Sequence, residues 1–156
     1  MACKYIYLGQ DWKTEDLNSS GLGSIYLAGP RNSPHNSWRL EFIKKISSLG
    51  LSVTFLIPDK KDVSRLQKDD NQKEHFAWQK SAISAATAVV FWFPAGDLDP
   101  QSFVEFGSWC KSERIFLGGD GPEIEYLDWL LHTEQKINAA NTLDQLAERV
   151  VHWIMG

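Results

Sequence analysis

Residues 88–93 read Ala88-Val89-Val90-Phe91-Trp92-Phe93, six apolar side chains in a row closed by Pro94. A strand with one wet face alternates apolar and polar residues. An unbroken apolar run of this length marks a strand covered on both faces. Residues 51–57, apolar but for Ser52 and Thr54, form a second run read as a buried strand, closed by Pro58. Between the two lie a polar, aperiodic stretch at 59–73, read as a mobile loop, and a helix over about 74–86 with Phe76, Ile83 and Ala86 turned inward. Downstream come a turn at 97–100, a helix over 101–111 and a strand over 114–117. Upstream stand short β-type runs at 4–8 and 24–28, separated by a loop-like stretch at 9–23 rich in Gly, Ser, Asn and Asp. A helix over about 37–49 follows, with Leu40, Ile43, Ile46 and Leu49 at near-helical spacing and Gly50 as its stop. The last helix opens with a capping box, Thr142 and Gln145, and carries Leu143, Leu146, Val150 and Ile154 on one face. Alternating strands and helices predict an α/β fold, a flavodoxin/Rossmann-like parallel sheet with helices on both faces. The expected organisation is a single domain over 1–156, with 1–23 as an extra N-terminal strand and loop.

Charge and composition narrow the function. The formal net charge of -4 provides no basic face for a nucleic acid polymer. Cys3 and Cys110 are too few for a disulfide framework and match no zinc spacing, so no metal site is expected. The N-terminus lacks an apolar leader core, and no apolar run reaches the roughly 18 residues of a membrane span. The expectation is a soluble cytoplasmic protein without a membrane partner. Seven Trp and eight Phe are many for 156 residues. Trp38, Trp78 and Phe91–Phe93 are candidates to wall a pocket for a flat ligand, although filling the core accounts for most such rings.

In an open parallel sheet, ligands bind at the carboxyl ends of the strands where strand order reverses. That rule nominates the loops at 29–37, 59–73 and 94–101. In the last, Asp99-Pro100 is an N-cap and first-turn pair, which places Glu105 in the second turn of the helix among Phe103, Val104, Phe106 and Gly107. Two readings of Glu105 stand: a partly desolvated, functional carboxylate, or a solvent-face residue favoured by the helix dipole. The first loop runs Gly29-Pro30-Arg31-Asn32-Ser33-Pro34-His35-Asn36-Ser37-Trp38-Arg39. Its two arginines and the amides opening a helix suit an anion such as phosphate. A polar turn in which Ser33 or Ser37 caps the helix fits equally, and the spacing of a P-loop is absent.

Taken in order, Ile25-Tyr26-Leu27-Ala28-Gly29-Pro30, the stretch from Trp78 to Trp109 and its element Val104-Glu105-Phe106-Gly107 resemble the nucleoside 2-deoxyribosyltransferase superfamily, which includes nucleoside monophosphate N-glycosidases. The similarity covers roughly residues 24–118. It implies cleavage of the bond between a nucleobase and C1′ of a (deoxy)ribose, with Glu105 as nucleophile. Asp99, six residues earlier, would assist with the base, and Tyr26 would position the nucleophile, with Tyr7 as a rival for that role. Gly29 and Pro30 form the first binding loop, and Arg31, Ser33, Arg39 and Ser102 are the phosphate candidates. Trp78 and Gln79 fall on the middle helix, where Gln79 stands in place of the acidic residue many members carry. The resemblance calls for no cofactor and implies a homodimer or larger homo-oligomer, for which Tyr126, Trp129 and Trp153 offer aromatic contacts.

The function expected from these features is N-glycosidic cleavage of a nucleoside or nucleoside 5′-monophosphate, by hydrolysis or base exchange through a glycosyl-Glu105 intermediate. Two alternatives remain at this level: a non-catalytic nucleotide-binding or sensing module, which an amide at position 79 favours, and an NAD-type glycohydrolase.

Overall fold

The computed structural model describes residues 3–18, 21–30, 38–59, 72–96 and 99–156. Five strands, β1 (Lys4–Tyr7), β2 (Ser24–Ala28), β3 (Thr54–Ile57), β4 (Ala88–Phe93) and β5 (Ile115–Gly119), form one all-parallel sheet in the order β1-β3-β2-β4-β5. The described helices are α1 (Thr14–Asn18), α2 (Trp38–Ser48), α3 (Gln72–Ala85), α4 (Pro100–Trp109), α5 (Ile124–Gln135) and α6 (Leu143–Met155). This is the expected α/β, flavodoxin-like architecture. None of these helices is long and apolar enough to cross a membrane.

The unbroken apolar strands are explained by two cores, one on each face of the sheet. Ile25 and Leu27 of β2, Phe55 and Ile57 of β3, and Val90 and Trp92 of β4 pack with α2 and α6. Tyr26, Leu56, Val89, Phe91 and Phe93 point the other way and pack with α1, α3, α4 and α5. Every residue of β2, β3 and β4 is buried. Period-two alternation is therefore present in side-chain direction and invisible in polarity. The chain leaves β2 towards β3 on one side and later lays β4 on the other side of β2. Strand order thus reverses between β2 and β4, which puts the crevice above Ala28 and Phe93.

Several local expectations shift. Leu40 and Leu49 are 58% and 55% exposed, and the buried face of α2 is Trp38, Arg39, Phe42, Ile43 and Ile46. A spacing of three residues falls about 60° short of a full turn at each step. A run of four such positions therefore drifts halfway round the helix, and only its middle, Ile43 and Ile46, stays on the core. Phe76, expected inside, is half exposed, and the buried residues of α3 are Gln79, Ala82 and Ile83. A short helix, α1, interrupts the stretch read as loop at 9–23, and α5 occupies sequence that had shown no clear element. β5 runs two residues further than its apolar letters, through Gly118 and Gly119. Gly118 pairs with Trp92, and a Cβ there would lie 2.8 Å from the indole, so the glycine makes room for the ring. The Thr142 cap is as expected: its hydroxyl accepts from the Gln145 amide at 3.1 Å. The loop at 59–73 lies almost wholly outside the described residues.

Candidate active site

Gly29 follows β2 with φ +114°, and a Cβ there would stand 2.6 Å from the Trp92 carbonyl oxygen. Only glycine lets the turn lie this close to β4. Arg39, from the first turn of α2, holds the turn from beneath. Its Nε donates to the Leu27 carbonyl at 2.9 Å, Nη2 to Gly29 at 2.9 Å, and Nη1 to Pro30 and to the Asp59 carboxylate, each at 3.3 Å. The guanidinium lies 4.9 Å from the Trp38 ring centroid, with its side chain 5% exposed. It is therefore a bracket under the Gly-Pro turn, with its forked donors spread over main-chain oxygens. Arg31 and Ser33, the other anion candidates of this loop, lie outside the described residues.

Across the crevice, β4 and α4 are locked together by rings. Phe103 stacks on Phe93 at 5.0 Å, and the fully buried Phe106 meets Phe91 edge-on at 5.3 Å. Asp99 caps α4 as expected. One carboxylate oxygen accepts from the Gln101 amide at 3.2 Å, and the other accepts from the Ser102 hydroxyl at 2.9 Å. Ser102 is buried, so its hydroxyl serves the cap.

Glu105 is half-buried one turn further along. Gln101 stands between it and α3: the Gln101 amide nitrogen lies 2.6 Å from the Gln79 amide oxygen and 3.5 Å from a Glu105 carboxylate oxygen. Gln79 is 2% exposed, an amide drawn into the interior and held by another amide. An open cleft of about 440 Å³ lies over this group, lined by Gln79, Gln101, Glu105, Phe76, Val104 and Trp109 among others. Phe76 and Gln101 also line a neighbouring cleft of about 270 Å³ with Gln72, His75 and Asp99.

The two tyrosine candidates separate cleanly. Tyr26 is buried on the sheet face that carries α3 and α4, its ring 6.5 Å from that of Trp78. Tyr7 packs on the opposite face. Trp78 gives its indole N–H to the Gln10 carbonyl at 2.9 Å, which fastens α3 to the N-terminal segment. The other rings expected to wall a pocket belong to the core: Phe91 and Phe93 lie under α4, while Trp38 and Trp92 lie on the α2–α6 face. Gln101 and His75 were not singled out as site residues in the sequence, and Phe76 was expected in the core. The available signal was the helical spacing of Gln72, His75, Phe76 and Gln79, which puts one polar-aromatic stripe at the start of α3.

Cys110 is no rival nucleophile. Burial above all, and then the nearby Glu134 carboxylate, push its thiol upward and keep it protonated. Among the described residues, no group of three His, Cys, Asp or Glu is arranged to hold a metal ion.

The crevice at the reversal of strand order, the Gly-Pro turn and the Glu105 helix all fall in one segment of chain. A family model described as nucleoside 2-deoxyribosyltransferase like matches residues 23–119, well over half of the 156 residues. No curated protein sequence matches the chain. From β2 through β5, the chain belongs to the nucleoside 2-deoxyribosyltransferase-like family.

Proposed function

We propose that the chain cleaves the N-glycosidic bond of a (deoxy)nucleoside or nucleoside 5′-monophosphate, by hydrolysis or by exchange of the base, with Glu105 as the nucleophile. The observation that carries this reading is the placement of Glu105: a half-buried carboxylate on a ring-locked helix, beside a Gln101–Gln79 amide pair, bordering an open cleft. An oxocarbenium-like centre at C1′ needs an anion held against one face, and a fixed carboxylate supplies it and can bond to it. Tyr26 and Asp99 act by placement, Tyr26 from beneath and Asp99 by fixing the first turn of α4. Gly29 and Pro30 form the opposite lip. Arg39 contributes by holding that lip, and a phosphate on the substrate falls to Arg31 and Ser33. The same reading takes the protein as one cytoplasmic domain that assembles with copies of itself.

A panel of nucleosides and nucleoside 5′-monophosphates, followed by chromatography of free base, tests the proposal. Base release that disappears in Glu105→Ala is the expected result, and an added acceptor base separates exchange from hydrolysis. The second reading, a nucleotide-binding module without catalysis, is favoured by the amide at position 79. Saturable nucleotide binding that survives Glu105→Ala, with no base released by either protein, would decide for it.

A further inference from the structure

Departure of an unactivated base requires a proton, because the electron pair of the broken bond otherwise stays on a strongly basic ring nitrogen. Gln79 lines the Glu105 cleft from α3, and a carboxamide is far too weak an acid to supply the proton. Asp99 receives a hydrogen bond on each carboxylate oxygen and is committed to capping α4. Lys80 lines the outer part of the larger cleft, and an ammonium ordinarily holds its proton too tightly for this work. One helical turn before Gln79, His75 lines the cleft that also holds Asp99 and Gln101, and this cleft shares the walls Phe76 and Gln101 with the neighbouring Glu105 cleft. Histidine is the side chain that ordinarily gains and loses a proton near neutral pH.

Resting on the glycosidic reading above, we propose that His75 is the general acid for base departure and the general base for the water that follows. Glu105 attacks C1′ as the C1′–N bond breaks, and the bonding pair goes to the base. Imidazolium at 75 gives its proton to that base, which leaves neutral. Water then attacks C1′ of the glycosyl ester, neutral His75 takes the water proton, and the Glu105 carboxylate is restored. Of the charged groups, Asp99 at the cap of α4 lines the same cleft as His75, and Glu105 lines the neighbouring one. Lys80 follows His75 on its own helix.

The test compares two leaving groups in the first turnover of the full-length protein. One is the base of an ordinary nucleoside 5′-monophosphate. The other is nicotinamide from its 5′-mononucleotide, a pyridinium that departs neutral without any proton. His75→Gln keeps size and hydrogen bonding at a half-exposed position. First-turnover release of the ordinary base should fall by roughly 10²- to 10⁴-fold, while nicotinamide release should stay within about twofold. Equal losses on both substrates would make His75 a binding or structural residue, and no loss on either would assign the proton elsewhere; both outcomes overturn the proposal and leave the Glu105 reading intact. Failure of the wild-type protein to release either base would overturn both.

Discussion

The two lips of the proposed site, the turn after β2 and the α3–α4 group beyond β4, carry similar polar letters and use them in opposite ways. On the β2 lip, the Arg39 side chain is 5% exposed and spreads its donors over the Leu27, Gly29 and Pro30 carbonyls. On the β4 lip, Gln79, Gln101 and Glu105 bond to one another and border an open cleft. A cation that satisfies main-chain oxygens holds a turn in shape. A carboxylate that borders an open cleft, with an amide nitrogen at 3.5 Å, stands where the proposed reaction needs an anion. On the proposed reading the charged residue of the first lip serves stability and that of the second serves chemistry, and substitutions should separate them.

Glu105→Ala should show the largest effect and confine it to activity. Losing a nucleophile costs on the order of 10⁴-fold in turnover, or about 5.5 kcal/mol of barrier. Its thermal midpoint should stay within about 1 kcal/mol of wild type, since a half-exposed side chain leaves little packing behind. A calorimetric scan beside the base-release assay checks both halves. A variant that melts much earlier would mean that Glu105 belongs to the scaffold.

Arg39→Ala should be the mirror image. Three carbonyls lose a charged donor at a site closed to water, a loss of about 3–5 kcal/mol, which lowers the midpoint by about 10 °C for a chain of this size. Arg39→Lys should recover little of it, because an ammonium cannot reach three oxygens in a fork. If Arg39→Ala melted like the wild type and only weakened the binding of phosphorylated ligands, the two lips would be alike after all. Gly29→Ala comes next, at about 2–3 kcal/mol. Its φ of +114° disfavours a side chain, and the added methyl would meet the Trp92 carbonyl oxygen at 2.6 Å.

These contrasts also show what the letters could reveal. Strands such as β4 were legible because a run apolar on every residue has few other uses, and the Asp99 cap was legible because Asp-Pro is a local device. The phase of α2 was not, because Leu40 and Leu49 are apolar whether buried or exposed, and the true face includes the arginine at 39. Arg39 shows the same limit. Two arginines in a loop suggest an anion, and only the crossing of α2 under the turn reveals carbonyls as the partners. α5 escaped notice because Tyr126 and Trp129, 66% and 60% exposed, blur its amphipathic contrast. Gln101 is the clearest case of all, since its meaning depends on how α3 and α4 pack.

Gln101 also supplies the smallest prediction and the finest test of the comparison. Its amide reaches Gln79 on one side and, at a longer distance, Glu105 on the other. Gln101→Leu keeps the volume and removes both contacts, leaving a buried Gln79 oxygen without this donor. Part of the cost should appear as stability, about 1 kcal/mol for a side-chain bond at a partly wet site. The rest should appear as activity, a drop of about tenfold in kcat with KM nearly unchanged, because a carboxylate that wanders is poorly placed for attack and no worse at admitting substrate. A rise in KM alone would make Gln101 a binding residue. A loss of stability with full activity would assign it to the scaffold with Arg39, and the β4 lip would then rest on Glu105 alone.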